Sequence, residues 1–209
     1  MRFINREEAG KQLVERLSNY REEDGVVFGI PRGGVLVAKP IAKSLGWPMD
    51  LVITRKVGHP SNPEYAICVV AEDGHRIGNE EELARMDQRW LEGAVKKEME
   101  EAKRRRIMYM SGRERVAVRD KTALLVDDGV ATGLTFLAAV KELHHLKPKR
   151  IVAVLPVMPA EFKDDVLKVV DEVVCLNSDP GFVGAVGAYY DDFPQVSDEE
   201  VISLFKEEK

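Results

Sequence analysis

The chain has 209 residues, a formal net charge of −5 at pH 7, a pI near 5.5 and 44% hydrophobic residues. This length favours a single domain over residues 1–209, and the acidic balance disfavours nucleic acid as a partner, because capturing nucleic acid needs a concentrated basic surface. No apolar run reaches membrane-spanning length and no apolar leader opens the chain, so we exclude a membrane protein and expect a cytoplasmic one.

Short β-rich runs alternate along the chain with longer amphipathic runs. The predicted strands cover residues 26–30, 51–54, 66–71, 123–126, 151–157 and 173–176. Several are apolar at both alternating positions, which is typical of parallel strands covered by helices on both faces. The pattern predicts a doubly wound α/β fold with a mainly parallel sheet. Pro40 lies in the helical run after the first strand and predicts that this helix is kinked or begins late.

The first predicted strand ends in a sharp turn of sequence Pro-Arg-Gly-Gly at residues 31–34. Gly33 and Gly34 leave room for backbone N–H groups to point at an anion, and Arg32 can add guanidinium donors. The same residues also make an ordinary connection between a strand and a helix. The turn alone leaves both interpretations open.

Two adjacent cations, Arg55 and Lys56, follow the second predicted strand and precede a loop with Gly and Pro at residues 57–65. Paired cations at a strand end can stabilise a polyphosphate. The alternative is that both side chains are simply exposed to solvent.

A charge-dense stretch at about residues 79–119 lacks strand signals and predicts a helical insertion. It opens with Asn-Glu-Glu-Glu at residues 79–82, an N-cap signal followed by acids that suit the helix dipole. Its basic run at residues 103–106 follows several glutamates and is typical of a solvated helix face. A nucleic-acid site there would require Lys103, Arg104 and Arg106 to share one exposed face.

The most specific motif begins where the strand at residues 123–126 ends. The adjacent carboxylates of Asp127 and Asp128 come first, and a loop of small residues leads from them into a predicted helix. The loop and the helix start contain Gly129, Val130, Ala131, Thr132, Gly133 and Thr135. Asp-Asp-Gly or Thr-Gly alone marks an ordinary turn, but together at the carboxyl end of a buried strand they indicate a ligand site.

This motif supplies the donors and acceptors that a ribose 5-phosphate needs. Its glycines let backbone amides approach an anion, and Thr132 and Thr135 add hydroxyl donors beside the positive end of a helix. Asp127 and Asp128 would repel the phosphate, but they can accept hydrogen bonds from vicinal ribose hydroxyls or bind magnesium, directly or through water. The loop lacks the lysine of a Walker P-loop, which disfavours ATP or GTP hydrolysis.

Residues 126–135 resemble the signature of the type I phosphoribosyltransferases, in which a hydrophobic strand, two acidic residues and a Thr-Gly phosphate loop follow one another. The resemblance extends over most of the chain. It is strongest for predicted bacterial and archaeal phosphoribosyltransferases with a Pro-Arg-Gly-Gly loop and a helical insertion. It implies the type I phosphoribosyltransferase fold with a small C-terminal hood at about residues 177–209.

The resemblance also implies roles for the flanking motifs. Residues 31–34 would be the diphosphate-binding loop, with a cis peptide between Pro31 and Arg32, and residues 55 and 56 would precede a mobile catalytic loop. The side chains that would hold the leaving diphosphate are those of Arg32, Arg55 and Lys56. The implied cofactor is Mg²⁺ at the acidic pair. By contrast, Cys68 and Cys175 lie far apart without CxxC or paired-histidine spacing, so the sequence predicts neither a zinc site nor a disulfide framework.

After the last predicted strand, residues 179–193 mix glycines with aromatic residues. The resemblance implies that this hood supplies the pocket of the accepting base, with Phe182, Tyr189, Tyr190 and Phe193 as candidates to stack on a planar ring. Packing of these aromatic rings within the hood itself is the alternative.

The predicted function is transfer of the 5-phosphoribosyl group of phosphoribosyl diphosphate to a nucleobase-like nitrogen, with release of diphosphate, in nucleotide metabolism. The expected partners are this substrate and a small-molecule acceptor, and a homodimer is the candidate assembly. The alternative is a non-catalytic sensor of phosphoribosyl diphosphate or a nucleotide. The Arg-Lys pair favours the enzyme, because a sensor of ribose phosphate would not require it. The sequence identifies no general base.

Overall fold

The structure is a computed structural model in which residues 1–206 are described, with residue 64 described by its backbone alone. Residues 207–209, the end of the predicted hood, lie outside the described residues. The central sheet has five parallel strands in the order β2-β1-β6-β7-β8. They are β1 (Gly25–Gly29), β2 (Met49–Leu51), β6 (Thr122–Val126), β7 (Arg150–Pro159) and β8 (Glu172–Asp179).

A separate antiparallel sheet contains β3 (Thr54–His59), β4 (Asn62–Ala71) and β5 (Arg76–Gly78). The predicted strand at residues 66–71 is therefore confirmed as part of β4, and it lies in this antiparallel sheet and not in the central parallel one. The prediction of a loop at residues 57–65 is wrong, because these residues form the end of β3, the turn and the start of β4. One face of this sheet packs Val57, Ile67 and Val70 against helical residues of the insertion, which explains why it is stable apart from the central sheet.

Seven α-helices surround the sheets within the described residues. They are α1 (Arg6–Arg16), α2 (Gly33–Leu45), α3 (Glu80–Arg85), α4 (Gln88–Met110), α5 (Leu134–His145), α6 (Phe162–Leu167) and α7 (Asp198–Lys206). The strands of the central sheet bury alternate side chains on opposite faces. Leu124 packs in the cluster that includes α1, α2, α4 and α7, and Leu125 packs in the cluster with α5 and α6. This two-sided packing confirms the doubly wound α/β fold.

Pro40 does not delay the helix that contains it, because α2 begins at Gly33 and runs through Pro40. The Pro40 ring lies against Gly10 of α1, and the packing of α1 on α2 holds the helix across the missing hydrogen bond. Of the helices in residues 1–206, none has the length and apolar composition that crossing a bilayer requires.

The predicted insertion is confirmed as α3 and α4, and both helices begin at side-chain caps, Asn79 and Asp87. Its basic run is not a uniformly solvated face. Arg106 has a side chain only 14% exposed and donates to Asp50 Oδ1 at 2.7 Å and to the Leu51 carbonyl at 3.0 Å. The condition for a nucleic-acid face, exposure of Arg106 beside Lys103, is not met.

Buried charges next to this anchor join the insertion to the rest of the protein. Arg115 forms ion pairs with Glu72 and with Glu142 of α5, and both carboxylates are buried. Burial, with the nearby Asp73 carboxylate as a further contribution, raises the pKa of Glu142 to about 7, although Arg115 opposes the shift. Glu142 therefore titrates near neutral pH inside the protein.

The hood is built from both ends of the chain. Phe3 pairs with the segment that follows a 3₁₀ helix at Val186–Tyr189, donating its N–H to the Tyr189 carbonyl at 2.8 Å and accepting from the Asp191 N–H at 2.8 Å. Ser197 and Glu200 form the reciprocal hydrogen bonds of a capping box at the start of α7.

Candidate functional site

The two glycine-containing segments lie together because their strands are neighbours. β1 and β6 pair in parallel with Gly29 opposite Val126, and the Ile30 N–H donates to the Val126 carbonyl at 2.9 Å. The turn at residues 31–34 and the loop at residues 127–133 therefore leave the same edge of the sheet. In doubly wound folds ligands bind at the carboxyl ends of the strands, which is this edge.

The turn at residues 31–34 packs directly on the acidic pair. A Cβ atom at Gly33 would lie 1.9 Å from Asp128 Oδ2, and one at Gly34 would lie 2.8 Å from the Asp127 Cα. Only glycine fits at position 33 while Asp128 keeps its place. The peptide between Pro31 and Arg32 is cis, which confirms the expectation from the family resemblance.

The acidic pair is half-buried, and one arginine faces it. Asp128 Oδ2 accepts a hydrogen bond from Arg6 Nε at 2.6 Å, and Asp127 Oδ1 accepts from the Asp128 N–H at 2.9 Å. Burial and the adjacent negative charge of Asp128 raise the pKa of Asp127 well above its usual range. Burial also raises the pKa of Asp128, and the Arg6 guanidinium opposes that rise. The pair is short of positive charge, so a cation or hydroxyl donors there would stabilise its ionised form.

Sequence reasoning missed Arg6. It lies in the first turn of α1, after the N-cap Asn5, and its side chain is only 8% exposed. Its guanidinium carbon is 3.6 Å from the centroid of the Phe193 ring, and Nη1 donates to the Pro194 carbonyl at 2.9 Å. Arg6 thus connects the acidic pair to the hood. No local pattern signals this role, because its partners are more than 120 residues away in the sequence.

The end of the loop that leads into α5 has the features of an anion-binding site. Gly133 has φ +80° at the N-cap of α5, and a Cβ there would lie 2.1 Å from the Phe162 ring. Ala131 and Thr132 are exposed and Thr135 is half-buried. Within residues 1–206, no hydrogen-bond acceptor faces the N–H groups of residues 131–135. These donors and the positive end of α5 can receive a phosphate.

Two other loop residues have structural contacts. The Val130 N–H donates to the Val157 carbonyl at 3.0 Å, and its side chain is buried. The Val130 amide therefore already has a partner within the protein, and a substrate contact by Val130 stays a prediction. Gly129 lies beneath Val186 of the hood and next to Val157.

A cavity of about 380 Å³ opens between the turn at residues 31–34 and the hood, beside Asp128. Arg6 and Arg32 both line it, together with Gly33 and residues 193–196. Arg32 Nη1 lies 3.4 Å from Asp198 Oδ1, and the same oxygen accepts a hydrogen bond from the Tyr109 hydroxyl at 2.6 Å. The cavity therefore presents two guanidinium groups next to the acidic pair.

Arg55 and Lys56 are not at the end of a central strand, as the sequence suggested, but inside β3 of the hairpin. Arg55 Nε lies 2.9 Å from Glu98 Oε2 of α4. Lys56 is exposed and lines a cleft of about 620 Å³ between the hairpin and α4, which also contains His59 and Lys97. The structure thus brings the acidic pair, the Thr-Gly loop and Arg32 together, and it places the Arg-Lys pair on the α4 side of the molecule.

The aromatic residues of the hood are largely engaged. Tyr189 is buried, donates its hydroxyl to Asp179 Oδ2 at 2.6 Å and stacks on Phe182 with centroids 5.3 Å apart. Tyr190 is buried, and its hydroxyl donates to the Asp128 carbonyl at 2.6 Å. Burial raises the pKa of Tyr190, and the negative charge of Asp128 adds to that rise. Phe182 is half-buried, so it is the more accessible of the stacked pair.

Comparison of the chain with known proteins finds relatives among the phosphoribosyl transferases. The profile of the phosphoribosyl transferase domain family matches residues 4–191. MT0597 and Rv0571c of Mycobacterium tuberculosis, whose names assign them provisionally to the phosphoribosyl transferases, are each 37% identical over 204 residues, or 97% of this chain and 46% of theirs. This chain therefore spans about half the length of these relatives. The crystal structure of TT1426 from Thermus thermophilus is 39% identical, covers 99% of both chains and has a TM-score of 0.83.

Proposed function

We propose that this chain, which belongs to the phosphoribosyl transferase family, transfers the 5-phosphoribosyl group of phosphoribosyl diphosphate to a nucleobase-like nitrogen and releases diphosphate. The observation that carries the proposal is the contact between the turn at residues 31–34 and the acidic pair at one sheet edge, with the unpartnered amides of residues 131–135 beyond it. A diphosphate site, a diol site and a phosphate site in one row match the three charged or polar parts of this substrate.

The phosphate end of the substrate would lie at the start of α5. The N–H groups of residues 131–135, which donate no hydrogen bond within the described residues, would donate to it, and the hydroxyls of Thr132 and Thr135 would add donors. Asp127 and Asp128 would accept hydrogen bonds from the ribose hydroxyls. Arg6, already bonded to Asp128, would hold that carboxylate ionised and in position.

Mg²⁺ fits the chemistry of the acidic pair. Two half-buried carboxylates with raised pKa values face a single described arginine, and oxygen ligands of this kind are those that Mg²⁺ prefers. Asp127 and Asp128 would hold the ion directly or through water. When bound, the ion would neutralise charge on the diphosphate.

The diphosphate would extend into the cavity lined by Arg6 and Arg32, where guanidinium groups can form bidentate hydrogen bonds. In this proposal Arg55 and Lys56 reach the diphosphate only when the β3–β4 hairpin moves from its contact with α4 towards the sheet edge. The Arg55–Glu98 ion pair would break in that movement.

The reaction is a displacement at C1 of the ribose. The acceptor nitrogen donates an electron pair to C1 while the bond from C1 to the diphosphate oxygen breaks, and diphosphate leaves with that electron pair. By analogy with glycosyl transfer, the transition state has oxocarbenium character. The protein contributes position and charge stabilisation, and its cations act most strongly on the negative charge that develops on the leaving group. We assign stacking on the acceptor ring to Phe182, with Tyr189 packed behind it.

Diphosphate release tests the proposal. The protein is incubated with phosphoribosyl diphosphate and Mg²⁺, and released diphosphate is measured across purine, pyrimidine, nicotinate-like and non-nucleobase acceptors. Release that depends on one acceptor class supports the enzyme. Tight binding of phosphoribosyl diphosphate without release for any acceptor would instead assign the chain a sensing role.

A further inference from the structure

Three potential metal ligands from distant parts of the sequence meet away from the proposed active site. Asp73 and His75 lie in the turn between β4 and β5, and His145 ends α5. Asp73 and His75 are held by the turn itself, in which the Ala71 N–H donates to the His75 carbonyl at 2.8 Å and the His75 N–H donates to Asp73 Oδ1 at 3.0 Å. The ligands therefore stand on ordered backbone.

The distances between the side chains match those around a small metal ion. Asp73 Oδ2 lies 2.8 Å from His75 Nδ1 and 3.4 Å from His145 Nδ1, and one ligand atom from each residue can be chosen with all separations within 4.8 Å. Zn²⁺ bonds of about 2.0 to 2.2 Å to nitrogen and oxygen place tetrahedral ligands about 3.3 Å apart. Nδ1 of both imidazoles lies within 3.4 Å of the same carboxylate oxygen. The two rings are stacked with centroids 3.6 Å apart, and because a metal ion lies in the plane of each imidazole that binds it, one ring would rotate when the ion binds.

We propose that Asp73, His75 and His145 bind one divalent transition-metal ion of the zinc class. Two imidazoles and one carboxylate are the nitrogen and oxygen ligands that suit Zn²⁺, and three protein ligands leave a fourth position for water. The three side chains are 27%, 41% and 45% exposed, which gives an ion access from solvent.

At this position a bound ion would link the three-stranded sheet to α5. Asp73 and His75 belong to the three-stranded sheet, which includes the hairpin that carries Arg55 and Lys56. His145 ends the helix whose first turn forms the proposed phosphate loop, about 18 Å away at 1.5 Å per residue. The bound ion would fasten the small sheet to α5, next to the hydrogen bond from Lys141 Nζ to the Arg76 carbonyl at 3.3 Å.

Calorimetry with Zn²⁺ on the full chain, free of affinity tags and stripped with a chelator, tests the site. We expect one ion per chain, with affinity about tenfold or more weaker in each of His75→Ala and His145→Ala. The matched control is His144→Gln, because His144 is adjacent on α5 but contacts the Val169 carbonyl at 2.8 Å instead. Asp127→Asn controls for ion binding at the acidic pair. Unchanged affinity in both histidine variants, or no binding in the wild-type protein, would overturn the proposal.

A measurement on the wild-type chain removes any dependence on variants that fold poorly. Paramagnetic Co²⁺ at the site would broaden the imidazole NMR signals of His75 and His145 most, broaden that of the adjacent His144 less, and leave that of His59 sharp. Equal broadening of all four histidines, or of none, would reject the site. Neither experiment depends on the proposed transferase activity.

Discussion

Substituting Gly33 by alanine should remove the ribosyl site without removing any of its side chains. The new Cβ would lie 1.9 Å from Asp128 Oδ2 and 2.9 Å from Arg6 Nε, so the carboxylate would have to retreat by about 1.5 Å to reach ordinary contact. That shift breaks the 2.6 Å bond to Arg6 and misplaces the proposed diol acceptor. Charge-assisted hydrogen bonds contribute roughly 1.5 to 3 kcal/mol each, so losing one means binding weaker by about tenfold or more.

The assay is calorimetry with ribose 5-phosphate and with phosphoribosyl diphosphate plus Mg²⁺, together with the free energy of unfolding from urea denaturation. Overpacking should lower stability by about 1 to 3 kcal/mol. Gly93→Ala is the control, because Gly93 is inside α4 and a Cβ there meets nothing within 4 Å. That variant should gain about 0.5 to 1 kcal/mol and bind ribose 5-phosphate normally. Wild-type affinity for both ligands in Gly33→Ala would refute the packing of this turn on Asp128.

Asp128→Asn removes the negative charge of this side chain and keeps its shape. The amide occupies the same volume, but the buried Arg6 loses its ionic partner, so stability should fall by about 3 to 5 kcal/mol and affinity for both ligands should fall with it. Intact affinity in the folded fraction of this variant would make Asp128 structural only.

Three further predictions concern other parts of the molecule. Thr132→Ala with Thr135→Ala should weaken ribose 5-phosphate binding by roughly 1.5 to 3 kcal/mol per hydroxyl that contacts the phosphate, measured by calorimetry. Arg55→Ala with Lys56→Ala should leave ribose 5-phosphate binding nearly normal and lower phosphoribosyl diphosphate binding, and single-turnover rates at saturating ligand should fall further than affinity. Burial raises the pKa of Glu142 from 4.5 to about 7 against the opposing charge of Arg115, so its contribution to stability is present below pH 4.5 and is lost as pH rises through 7. In Glu142→Gln the free energy of unfolding should therefore fall less between pH 4.5 and 7 than in the wild type.

Each of these three has an outcome that contradicts it. Unchanged affinity in the double threonine variant would remove the phosphate from the start of α5. Equal losses for the two ligands in the Arg-Lys variant would place those side chains away from the diphosphate, and a binding loss without any turnover in the wild type would favour the sensor. Parallel pH profiles for Glu142→Gln and the wild type would show that this carboxyl does not titrate in the expected range.

Much of the fold was predictable because the burial of a strand determines the pattern of apolar residues within that strand. Parallel strands covered on both faces must be apolar at consecutive positions, and this identified strands near β1, β6, β7 and β8. The same reasoning misassigned residues 57–65, because a short polar hairpin with glycine and prolines lacks the apolar alternation of a half-buried strand. Its stability comes from packing on α3 and α4, which no local window contains.

The sequence alone determined the motif in which a strand is followed by the acidic pair and the Thr-Gly loop. It also determined the family resemblance, which the family match confirms. This was possible because the residues of the motif are contiguous, so their neighbours in the chain set their backbone roles. Tertiary structure alone decided that Arg6 meets Asp128, that Val130 is already hydrogen-bonded and that Arg55 faces Glu98. Contacts of this kind join residues tens to more than a hundred positions apart. They depend on which strands are neighbours and how helices pack across them, and periodicity and spacing along the chain carry no record of that arrangement.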